Sequence, residues 1–90
     1  AFDYLFKALS EYKRIGARAE IARTYNQIAW GYAYQRNYKA AQANLDLAYE
    51  VTSHINYPLL LAANDNLQGN IYYESGNSQN ALIYLRSALN

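Results

Sequence analysis

Ala1, Leu5 and Ala8 recur forty residues later as Ala41, Leu45 and Ala48, and forty further on as Ala81, Leu85 and Ala88. The same interval pairs Ile15 with Ile55, Ala22 with Ala62, Asn26 with Asn66, Tyr32 with Tyr72 and Asn37 with Asn77. A fixed period of this length marks a chain built by stacking copies of one unit, each too small to bury its apolar face alone. The possible folds narrow at once to repeat architectures, which usually act through the surface they expose.

Within the period the apolar spacing is helical, and strand alternation is missing. Residues 2–14 place Leu5, Ala8, Leu9 and Tyr12 on one stripe at three- and four-residue steps. Gly16 stops that helix, because glycine accepts the left-handed conformation that closes a helix. Asn56 stands in its place forty residues on, so Ile15-Gly16 and Ile55-Asn56 read as two copies of one stop. A second helix is predicted over 17–35, with Ile21, Tyr25, Ile28, Ala29 and Tyr32 inward. Asn37 suits the N-cap of a third helix over 38–54. Pro58 opens a fourth that runs through Tyr73. The turn Ser75-Gly76-Asn77-Ser78 then leads into a fifth, over 78–89.

The predicted fold is therefore an all-α stack of about five antiparallel helices. Ala8, Ala29, Ala41, Ala48, Gly69, Ala81 and Ala88 let the helices approach closely, while Leu5, Leu45 and Leu85 fill the space beside them.

At these residues the chain resembles the tetratricopeptide repeat, a helix-turn-helix unit with the signature W-x2-L-G-x2-Y, then A-x3-F and A, then P. One copy reads Tyr25-x2-Ile28-Ala29-x2-Tyr32, then Ala41-x3-Leu45-x2-Ala48. The next reads Asp65-x2-Gln68-Gly69-x2-Tyr72, then Ala81-x3-Leu85-x2-Ala88. The resemblance implies an α-α superhelix in one domain over 1–90. Residues 1–16 supply the second helix of a partial repeat, 17–56 one repeat, and 57–90 a truncated one.

Two departures stand out. Asp65 and Gln68 replace apolar positions, so the fourth helix is expected to shift, with Leu67 or Leu61 filling instead. The period is forty rather than the commoner thirty-four, and the closing proline is missing after Ala48 and Ala88. The longer period resembles the variant in bacterial regulators and sensors, including peptide-responsive regulators and the sensory parts of histidine kinases and diguanylate cyclases. The chain has no initiating methionine and opens inside a repeat, so it reads as a piece of a larger protein with apolar ends exposed. Those ends favour self-association through the terminal helices.

Apolar residues make up 52% of the chain, too many for a disordered tail. The longest unbroken apolar stretch, Leu59 to Ala63, is too short to span a bilayer. The absence of cysteine excludes disulfides, thiolate nucleophiles and cysteine metal sites, but leaves the compartment open. The cytoplasm is the default, with the periplasm open to a membrane sensor. Net charge is +1, unevenly placed: residues 1–45 carry +4 and residues 46–90 carry −3. That asymmetry suits head-to-tail stacking of copies, and equally fits solvated helix faces.

No catalytic constellation emerges. His54 is the only histidine, and its place near the end of the third helix suits an interaction with the helix terminus. No phosphate-binding loop or metal-ligand spacing occurs, and no cofactor is implied. Lys7, Lys13, Arg14 and Arg18 form a modest basic cluster, too weak against the overall charge to favour nucleic acid.

The resemblance implies a concave face lined by the first helix of each pair, against which a protein or peptide segment lies. That face maps to Arg23, Asn26, Trp30 and Tyr34, and to Asn66, Asn70, Tyr73 and Glu74. Asparagine amides offer both donors and acceptors to a peptide backbone. Trp30 and Tyr34 supply large contact area at low entropy cost. Packing against a neighbouring helix accounts equally well for Trp30, and helix–helix hydrogen bonding for the Asn26 and Asn66 pair. The competing role for the whole unit is structural, as a stacking or dimerising element without a separate ligand.

Overall fold

The computed structural model describes the backbone of residues 2–76 and 78–89, and the side chains of 2–76 and 82–88. The described residues form five α-helices and no strand: α1 (Asp3–Ile15), α2 (Arg18–Tyr34), α3 (Tyr38–Thr52), α4 (Pro58–Glu74) and α5 (Ser78–Leu89). The fold is all-α and repeat-like, as the periodicity predicts. The expected parts played by Ala1, Asn77 and the Ala81 side chain lie outside the described residues.

The helix ends follow local chemistry. Gly16 adopts φ 69° after α1, and Ala17 N–H reaches back to Tyr12 O at 3.0 Å. This is the six-to-one bond of a Schellman closure. Asn37 caps α3 as predicted, its side chain accepting from Ala40 N–H at 3.3 Å. Pro58 occupies the first turn of α4.

Asn56 does not repeat the Gly16 stop, which corrects the sequence expectation. Positive φ occurs among the described residues only at Gly16, Arg36 and Gly76. The true forty-residue pair of left-handed closures is Arg36 (φ 60°) and Gly76 (φ 89°), at the ends of α2 and α4. At Arg36 the side chain makes this conformation cost about 1 kcal/mol. Asn37 N–H there closes onto Tyr32 O at 2.9 Å, as Ala17 does behind α1.

Helix α3 also stops at Thr52, two residues before the predicted end. The Thr52 hydroxyl bonds back to Ala48 O at 2.6 Å and the Ser53 hydroxyl to Glu50 O at 2.6 Å. Such back-bonds compete with helix continuation. His54 and Ile55 then turn away through bonds to Val51 O and Thr52 O.

Helices α2 and α3 form one tight hairpin and α4 and α5 a second; α1 lies on α2, α3 lies on α4, and α2 also meets α4. Among the described residues no Cα of α1, α3 or α5 comes within 8 Å of a Cα of another of these three helices. The Cα envelope is 39 × 29 × 15 Å. Its thinnest dimension fits two helix layers about 10 Å apart.

The core joins the repeats through the predicted small residues. Ala29, Ala41, Leu45 and Ala48 are completely buried, together with Ile28 and Leu67, and Leu5 and Leu9 carry the core into α1. Ala8 and Ala88 are only half-buried, so they stand at the margins of their contacts.

Asp65 and Gln68 do not displace α4, contrary to expectation. Both remain buried in the repeat register and find polar partners. The Asp65 carboxylate accepts from Tyr49 Oη of α3 at 2.5 Å and from Ser87 Oγ of α5 at 2.6 Å. Gln68 and Gln42 exchange reciprocal amide hydrogen bonds of 2.7 Å each. Leu67 is buried in addition, whereas Leu61 is 45% exposed. No buried side-chain polar atom among the described residues lacks a partner. A core that is polar at these positions is tolerated for that reason.

Candidate functional site

The C-terminal halves of α2 and α4 lie side by side, and an open cleft of about 320 Å³ forms between them. Trp30, Ala33 and Tyr34 line it from α2, and Asn70, Ile71 and Glu74 from α4. Arg36 of the α2–α3 turn and Tyr38, the first residue of α3, complete the lining. Trp30 and Asn70 are forty residues apart, as are Tyr34 and Glu74, so the cleft is made by equivalent positions of successive units.

Four of the eight expected site residues therefore converge: Trp30, Tyr34, Asn70 and Glu74. Trp30 is half-buried and packs against the core, and its ring lies 6.0 Å from that of Tyr34 at 35°. Tyr34 is 82% exposed, so its apolar face is open to a ligand. The Asn70 amide donates to Asn66 O of its own helix at 3.2 Å.

The other four are placed differently. Asn26 is buried, and its amide donates to Asn64 Oδ1 at 2.9 Å. Asn64 in turn donates to Thr52 Oγ1 at 3.0 Å. Asn26 is thus a link between units, and its forty-residue partner Asn66 is exposed on α4. The side chain two positions earlier takes the interior place. Arg23, about 10 Å along α2 from Trp30, bonds to Glu20 at 2.7 Å and to Tyr57 Oη at 3.0 Å. Those contacts, the Glu20 hydrogen bond foremost, hold its guanidinium above the ordinary arginine range. Tyr73 is 65% exposed on α4 but does not line the cleft.

Arg36 and Tyr38 were missed because the segment 36–38 reads as a turn. The available signal was topological: a turn that follows Tyr34 stands at the same end of the stack as Glu74. Neither Arg36 nor Glu74 is engaged in an ion pair among the described residues, where the only two are Arg14–Glu11 and Arg23–Glu20. The cleft thus combines three aromatic rings with a carboxylate and a guanidinium that are not paired with each other. No group of metal-ligating side chains occurs among the described residues. No described helix is long and apolar enough to cross a membrane.

Comparison with known proteins finds no matching family model, no matching curated protein and no matching solved structure.

Proposed function

We propose that this chain is a tetratricopeptide-type interaction domain of a bacterial signalling or regulatory protein, and that it holds a peptide or protein segment in the cleft between α2 and α4. The observation that carries this reading is the convergence of Trp30 and Tyr34 with Asn70 and Glu74 at matched repeat positions. Exposed aromatic rings beside polar side chains are the composition of a binding anchor rather than of a solvated helix face. The family assignment rests on the forty-residue register and on the burial of Ala41, Leu45 and Ala48.

Panning a random peptide library on the domain, followed by titration of the selected peptides, tests the reading. Tyr34→Ala is the informative variant, because its side chain is exposed and the fold does not depend on it. Selected peptides should lose about tenfold or more in affinity, which is the 1.4 kcal/mol scale of a modest anchor. Peptides that bind the variant unchanged would place the site elsewhere.

A second reading, self-association, is favoured by Leu82 and Ile83 of α5, which are 56% and 62% exposed. Adjacent apolar side chains of this size suit a helix-on-helix contact between copies. Sedimentation over a hundredfold concentration range distinguishes the two, since stacking raises the mass without ligand and a Leu82→Glu variant suppresses it.

A further inference from the structure

We infer that the cleft selects a basic side chain, an arginine or lysine of the bound segment, held against the aromatic rings with Glu74 as its counter-charge. This rests on the reading of the cleft as a peptide site. Three features point the same way. Trp30, Tyr34 and Tyr38 line the cleft, and the faces of aromatic rings attract cations. Glu74 lines the same space and forms no ion pair among the described residues. It is also the last residue of α4, where the helix dipole is negative and a carboxylate is disfavoured, and no basic residue in that last turn offsets it. A cationic ligand group relieves the repulsion at that point. Arg36 is the one opposing charge in the lining, and it forms no ion pair with Glu74, so the carboxylate stays free to meet a ligand cation.

The test uses the emission of Trp30, the only tryptophan, as a reporter inside the site. Three blocked heptapeptides, Gly-Ser-Leu-X-Leu-Ser-Gly with X as Arg, Gln or Glu, are titrated into the intact domain and into Glu74→Gln. The Arg peptide should change the emission at about tenfold lower concentration than the Gln peptide, with the Glu peptide weakest. Glu74→Gln should remove most of that preference and leave the Gln peptide unaffected; its exposed position keeps the fold intact. Equal response to Arg and Gln peptides overturns the charge selection and leaves the peptide cleft standing. A Glu peptide that binds tightest overturns it in favour of Arg36. Silence from all three overturns both the charge selection and the cleft as a general peptide site.

Discussion

Gly69 of α4 lies directly against Leu85 of α5, so closely that a Cβ on Gly69 would stand 2.6 Å from Leu85 Cγ and 3.2 Å from its backbone nitrogen. The second hairpin closes because one residue has no side chain. The equivalent position in the first hairpin, Ala29, is completely buried and does carry a Cβ, so the α2–α3 contact is set slightly differently.

Gly69→Ala should therefore destabilise the domain although alanine is the better helix former. The overpacking cost of about 1–3 kcal/mol exceeds the helix-propensity gain of about 1 kcal/mol at most sites. A melting temperature lowered by several degrees is expected, and a rise would show that Leu85 moves aside freely. Gly31 provides the contrast: the neighbour there is the far end of the Phe2 ring, which can swing away.

Asn64 and Asn66 are two residues apart and should respond very unequally to alanine. Asn64 is completely buried between Asn26 and Thr52, so Asn64→Ala leaves a cavity and removes two hydrogen bonds. A loss of about 2–4 kcal/mol in urea unfolding is expected. Asn66 is exposed, and its substitution should change stability by no more than about 0.5 kcal/mol. Similar losses at both sites would contradict the described orientation of α4.

Tyr49 makes stability sensitive to alkali. Burial, reinforced by the hydrogen bond to Asp65, raises its phenol above the ordinary tyrosine range, because the phenolate is disfavoured in that setting. A folded-state value above the unfolded one means the unfolded chain releases its proton first. The contribution is complete below about pH 10 and declines as pH rises beyond that. Tyr49→Phe should be less stable at pH 7 by about 1–3 kcal/mol, having lost a bond to a carboxylate. Its urea midpoint should also fall less steeply between pH 10 and pH 11 than that of the parent, which separates Tyr49 from the other tyrosines.

Glu74→Lys should stabilise the unliganded domain. A cation at the end of α4 complements the helix dipole where the carboxylate opposes it. A rise of about 2 °C in melting temperature is expected from a contribution of that size. A fall would mean that Glu74 supports the fold.

The architecture was legible because Leu5, Leu45, Ala41 and Ala48 recur at one interval and in one chemical type. A helical stripe repeated with a fixed period admits few other arrangements. The interior of α4 was harder to read. Asp65 and Gln68 carry polar side chains at core positions, and only coordinates reveal that Tyr49, Ser87 and Gln42 satisfy them. The same blindness moved Asn26 into the groove: one asparagine looks like another in a sequence, and its partner Asn64 is off the forty-residue register. Trp30, Tyr34, Asn70 and Glu74 were found together because a groove between equivalent helices inherits the period. Tyr38 joins them only through the left-handed bend at Arg36, a conformation that an arginine does not advertise.

Among the described residues the backbones of α1, α3 and α5 stand apart, and the Asp65 carboxylate spans from Tyr49 of α3 to Ser87 of α5. The two hairpins resemble leaves hung on the shared edge of α2, α3 and α4. The joint between the hairpins is a smaller packing surface than the one inside either hairpin, and Asp65 is the side chain that ties α3 to α5 across it.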